Sequence, residues 1–206
     1  MDLDAQYLVR DAAELSALYA QPFERSIRKQ LDRLDEHCRA FIAASPLVII
    51  GTQDQTADNS PRGDVPGFVK VADDHTLLIP DRRGNNRLDT LRNILRNPAV
   101  GLLFFVPGVK EMFRVNGDAV ITHDPAITEP FTRNGNPPRT VLVVKVKQAY
   151  IHCSRALLRA DLWNPASYQP GAVPSFGTIM AAHTCGFVEA EALDEENRVR
   201  VPLTLY

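Results

Sequence analysis

Cysteine is scarce. Cys38, Cys153 and Cys185 are the only three in 206 residues, too few and too widely spaced for a disulfide framework or a short-spaced zinc site. No charge of one sign dominates: 23 Lys and Arg stand against 25 Asp and Glu, a net charge of −2. A chain that grips a nucleic-acid backbone shows a basic excess, so nucleic acid is not an expected partner. Long hydrophobic runs are missing too. The longest, around 100–106, has the length of a strand rather than of a membrane span. The acidic start MDLDAQYLVRDAAEL has no apolar stretch of the kind a secretory signal carries. A cytoplasmic, soluble protein that does not enter a membrane is the expectation. Nucleotide and hydrolase signatures are absent as well: there is no P-loop, GxGxxG, GxSxG or HExxH.

What is present is the composition of one globular domain, 45% hydrophobic and 23% charged. Residues 1–45 read as helical. Leu15, Leu18 and Tyr19 recur at helical spacing after Asp11, and a second helix after Pro22 carries Ile27, Leu31, Leu34, Cys38, Phe41 and Ile42 on one face. This region is expected to lie on a sheet as an amphipathic lid. From Leu47 the pattern changes to short runs rich in Val, Ile and Phe: 47–52, 67–72, 75–80, 99–106, 111–121 and 140–151. Six strand candidates with one clear helix among them, at about 86–96, argue for a mainly β (α+β) fold with an antiparallel barrel at 46–153. Gly117 interrupts its strand as a bulge or a close backbone approach would. Residues 154–206 read as a short helix at 154–163, a Pro/Gly-rich excursion at 164–177 and a last helix at about 178–193.

Chemistry concentrates in IPDRRGNNRLDTLRNILRNP (79–98). Asn86 is a good N-cap, Asp89 falls three residues later, and Leu88, Leu91 and Leu95 form the expected buried stripe. A helix N-terminus presents free N–H groups and a positive dipole end, which suits a phosphate. Arg82, Arg83 and Arg87 crowd that end, and an arriving anion relieves their repulsion. The same residues also suit an arginine-rich solvated surface behind an ordinary cap. DNSPRGDVPGF (58–68) reads as an irregular extended path whose Arg62 is placed to meet an anionic ligand edge, or as a surface hairpin loop. Arg114 and Asn116 project from mid-strand, and His152 and Trp163 flank a strand-to-helix junction. Both sites also have ordinary structural readings. No residue stands out as a catalytic acid, base or nucleophile, and no metal site is expected.

Four stretches, SPRGDVPGFVKV (60–71), LLIPDRRGNNRLDTLRNILRNPAVGLLFFVPG (77–108), RVNGDAVI (114–121) and HCSRALLRADLW (152–163), carry a family likeness. The chain resembles the pyridoxamine 5′-phosphate oxidase-like FMN-binding split-barrel family, over roughly residues 20–190. That resemblance implies a six-stranded split β-barrel with flanking helices. It implies a homodimer with FMN at the subunit interface and an FMN-dependent oxidoreductase acting on a small molecule. Pro80, Asp81, Arg82, Asn85, Asn86 and Arg87 would then meet the phosphate and ribityl chain, and Ser60, Arg62 and Asp64 the isoalloxazine. Arg114, Asn116, His152 and Trp163 would approach from the partner chain or the cleft rim. A non-catalytic flavin carrier, or a barrel holding haem or a deazaflavin, are the alternatives. No lysine follows Arg62 where true pyridoxamine phosphate oxidases bind substrate phosphate, and their C-terminal Arg-Leu-x-Pro ending is missing. The resemblance therefore does not extend to vitamin B6 oxidation.

Overall fold

A computed structural model describes all 206 residues. Seven strands make one sheet: β1 (Leu47–Gln53), β2 (Ala57–Gly63), β3 (Lys70–Asp73), β4 (Thr76–Asp81), β5 (Ala99–Phe105), β6 (Met112–Thr122) and β7 (Thr140–His152). Every pairing is antiparallel, in the order β2-β1-β5-β6-β7-β4-β3. Val48, Ile50, Leu77, Ile79, Leu102, Phe104, Val115 and Val144 share one buried face and are 0–1% exposed. Each such side chain contributes about 1.5–3 kcal/mol by leaving water. One ion pair spans the open side of this sheet, from its first strand to its last but one. Arg62 at the end of β2 pairs with Asp81 at the end of β4, 3.1 Å apart. β3 covers only Thr76–Leu78 of β4, so residues 79–81 have a free edge that faces this split.

The expectation of six strands is corrected to seven. Residues 57–63, expected to be an irregular loop, form β2 and pair along the whole of β1, with Pro61 opposite Ile49. An edge strand can carry proline because one side of its backbone needs no ladder bond. β2 alternates between exposed and half-buried positions, so it lacks the apolar alternation that announces a strand.

The helices also differ from expectation. α1 (Ala12–Leu18) leaves Leu15 and Leu18 exposed, and residues 1–28 are exposed throughout, so α1 is no lid on the sheet. The single helix expected up to Ser45 is two, α2 (Glu24–Arg28) and α3 (Glu36–Ala44). Between them Leu31 exchanges both backbone hydrogen bonds with Ala149, at 3.0 and 2.9 Å. β4 pairs β7 only as far as Lys145. The next stretch of β7 needs partners, and that need outweighs local helix propensity. α3 then starts on Asp35, which accepts from the Cys38 N–H at 2.8 Å, and buries Cys38 and Ile42. α4 (Asp89–Arg96) and the one-turn α5 (Pro125–Thr128) follow, then α6 (Arg155–Ala160). The last expected helix is a pair, α7 (Phe176–His183) and α8 (Ala190–Leu203), separated by a turn in which Cys185 and Gly186 take left-handed backbone angles. No helix is long and apolar enough to cross a membrane.

Gly117 is the bulge expected from its position. The β6–β7 register shifts between Asn116 and Gly117, and a Cβ on Gly117 would lie 2.1 Å from the Lys145 carbonyl oxygen. That clash is with backbone, which cannot rotate away. Gly117→Ala is therefore expected to lower stability by about 3 kcal/mol, measured as a shift in the urea midpoint. An unchanged midpoint would show that the bulge has slack.

Candidate functional site

The split opens into a cleft of about 950 Å³, at the upper end of the range for ligand pockets. Its walls are β2, the end of β4 with the following loop, the first turn of α4, and residues 136–140 leading into β7. Only Phe68, Leu88, Leu91 and Tyr206 among its lining residues are large apolar or aromatic side chains. The cleft of a single chain is thus predominantly polar.

The start of α4 is corrected by three residues. Asn86 is not the cap: its φ is 60°, and its neighbour Asn85 accepts from the Arg87 N–H at 3.1 Å. Leu88 occupies the cap position in a left-handed conformation, φ 62°, and its side chain offers no hydrogen bond. α3, α7 and α8, the other helices of eight or more residues, are capped by Asp35, Ser175 and Glu189. α4 alone among them opens its N-terminal N–H groups uncapped, and it does so into the cleft. A left-handed Leu stores about 1–2 kcal/mol of strain, of the kind that gathers at ligand sites. The expected stripe changes with the register. Thr90 and Ile94 are buried, whereas Leu88 and Leu95 are 45% and 76% exposed.

The crowd of unpaired arginines is also corrected. Arg62 pairs with Asp81, Arg87 with Asp89 at 2.7 Å, and Arg82 with Asp64 at 2.9 Å. Arg82 also donates to the Phe131 carbonyl at 2.7 Å. Of the arginines lining the cleft, Arg83 and Arg139 have no carboxylate partner. Across from them Asp58 on β2 accepts from Ser60 Oγ at 3.1 Å and Thr90 Oγ1 at 3.0 Å, stitching β2 to the first turn of α4.

Eight of the expected residues therefore line one cleft: Ser60, Arg62, Pro80, Asp81, Arg82, Asn85, Asn86 and Arg87. Five lie outside it. The Asp64 side chain is fully buried against Arg82. Burial pushes its carboxyl up. Hydrogen bonds from the Tyr206 hydroxyl and the Val65 N–H, with the Arg82 charge, outweigh that and hold it below its ordinary value. Arg114 donates to the Tyr150 hydroxyl and its guanidinium lies 5.8 Å from that ring, while Asn116 donates to Gln148 at 2.9 Å. His152 lies beside the Cys153 carbonyl. Trp163 donates to the Val109 carbonyl at 2.8 Å.

Sequence reasoning missed Asp58, Thr90, Arg139, Thr140 and Tyr206. A signal existed for the 136–140 wall. Asn134-Gly135 forms a tight turn closed by reciprocal Arg133–Asn136 hydrogen bonds at 3.1 and 2.8 Å, and Pro137-Pro138 then carries the chain stiffly to Arg139.

A family model described as pyridoxamine 5′-phosphate oxidase matches residues 34–153, more than half of the chain. No curated protein matches it by sequence. Among solved structures, HupZ of Group A Streptococcus is 18% identical, over 57% of this chain and 92% of that one, with a TM-score of 0.46. A putative pyridoxamine 5′-phosphate oxidase from Lactobacillus delbrueckii is 20% identical, over 59% and 98%, with a TM-score of 0.44. An FMN-binding protein from Syntrophomonas wolfei is 14% identical, over 55% and 82%, also with a TM-score of 0.44.

Proposed function

The chain belongs to the pyridoxamine 5′-phosphate oxidase family, and from that premise we propose that it binds a flavin, FMN, and serves as an oxidoreductase toward a small molecule. The observation that carries the reading is the uncapped start of α4 opening into a polar cleft beside the unpaired Arg83. A dianionic phosphate fits there. It accepts from the free N–H groups, meets the helix dipole and takes its counter-charge from a guanidinium not already neutralised. Ser60, Asn85 and Asn86 would line the ribityl chain, and Arg62 and Asp81, paired at the end of the split, would flank its continuation toward the ring. Bound flavin supplies the electron chemistry.

A flavin ring needs apolar walls, and one chain's cleft has few. That imbalance supports a homodimer in which the partner copy completes the ring site, with Arg114, Asn116, His152 and Trp163 of one chain reaching the other's cleft. Large exposed side chains such as Tyr19, Phe23, Ile27, Phe176 and Phe187 give apolar surface for such a contact. Three free cysteines suit a reducing, cytoplasmic setting.

The ligand released by denaturing the purified protein tests the reading. Flavin absorbance and the mass of FMN are the expected result. A Soret band would assign haem, and a deazaflavin mass would change the cofactor. Reduction by NADPH or NADH, followed by reoxidation with a broad acceptor panel, then tests turnover. A flavin that no acceptor reoxidises identifies a carrier.

A further inference from the structure

Tyr206 lies far in sequence from every other element of the cleft, yet it lines it. Its hydroxyl donates to Asp64 Oδ1 at 2.7 Å, and the Arg82 guanidinium lies 5.6 Å from its ring centroid. Across residues 169–206 this is the only hydrogen bond or ion pair to the rest of the chain. All other polar contacts there are internal to the segment, and α7 and α8 pack on each other. Gly177 shows how tightly they do so: its N–H donates to Asp194 at 2.7 Å, and a Cβ there would meet the Ala190 carbonyl. The C-terminal helices thus form a body of their own, tied to the barrel by one phenol on one buried carboxylate.

We infer that Tyr206 is a positioning residue. It tethers the α7–α8 pair beside the cleft and, through Asp64, holds Arg82 turned into its ion pair at the cleft wall. Asp64 accepts on both oxygens, from Tyr206 and the Val65 N–H on one and from Arg82 on the other. Loss of the phenol donor leaves a fully buried carboxylate one bond short. Helices of 8 and 14 residues are marginal alone in water, so a tether of this kind sets how often they open. This inference rests on the flavin reading only for its effect on ligand binding.

Two substitutions separate the tether from simple packing. Tyr206→Phe keeps the ring over Arg82 and removes only the donor; Tyr206→Ala removes both. In the full chain without added flavin, amide hydrogen exchange over 176–203 should rise about tenfold in both variants, the effect of losing one hydrogen bond to a charged acceptor. Exchange in Tyr206→Phe equal to that of the unaltered chain would overturn the tether. FMN affinity, read by flavin fluorescence, should fall about tenfold in Tyr206→Phe. Faster exchange with unchanged affinity would overturn the positioning role while leaving the tether standing. Failure of the unaltered chain to bind FMN sinks the flavin reading instead, and the exchange experiment then decides the inference alone.

Discussion

Arg82→Ala is expected to cost about 3–5 kcal/mol of stability, the usual effect of removing one partner from a buried ion pair. Asp64 is fully buried and the Arg82 side chain is 13% exposed, so solvent gives the stranded carboxylate little compensation. The guanidinium also joins three segments, since it meets Asp64 after β2, the Phe131 carbonyl and the Tyr206 ring. A chemical denaturation midpoint reads the loss. Replacing both partners together, Arg82→Met with Asp64→Leu, should cost less than Arg82→Ala alone, because no charge is left buried without a partner. Equal midpoints for Arg82→Ala and the unaltered chain would show that the pair is solvated. The sign of the pH dependence follows from the depressed Asp64 carboxyl. Its contribution is fully present above the ordinary value of 3.8 and is lost as pH falls through its lower value in the fold. Arg82→Ala should therefore flatten the acid limb of the stability curve as well as lower the plateau.

Arg83→Ala should do the reverse, weakening FMN binding by about ten- to a hundredfold with little change in stability. Arg83 has no carboxylate partner and lies in the loop that leads to the uncapped start of α4. A charge-assisted hydrogen bond to phosphate is worth about 1.5–3 kcal/mol, which corresponds to that range of affinity. Flavin-fluorescence titration gives the affinity, and the denaturation midpoint controls for folding. Unchanged affinity would remove the phosphate from this end of the cleft. The two neighbours make a sharp contrast. Adjacent arginines that look alike in sequence differ because one meets a buried aspartate and the other meets none.

This contrast marks how far the chain could be read from its residues. The Val- and Ile-rich runs of β1, β4, β5, β6 and β7 announced themselves because a strand buried on one face must carry apolar residues. Gly117 announced its bulge by the same local logic. The segment around α4 stood out for its arginines and asparagines, and eight of the thirteen expected site residues do line one cleft. β2 escaped because an edge strand takes its structure from the neighbour it pairs with and needs little apolar pattern of its own. The helix start slipped by three residues because Asn86 and Leu88 adopt left-handed angles that no periodicity encodes.

Composition and spacing by themselves determined a mainly β domain and one loop dense in arginine and asparagine, since both depend on neighbours a few residues apart. Only the tertiary structure decided which charges are free. The partners that neutralise Arg62 and Arg82 lie 19 and 18 residues away, and Tyr206 reaches Asp64 across 142. Coulombic pairing depends on distance in space, and only the folded chain brings β2, the end of β4 and the segment after α8 together, with these groups within 3.1 Å of their partners.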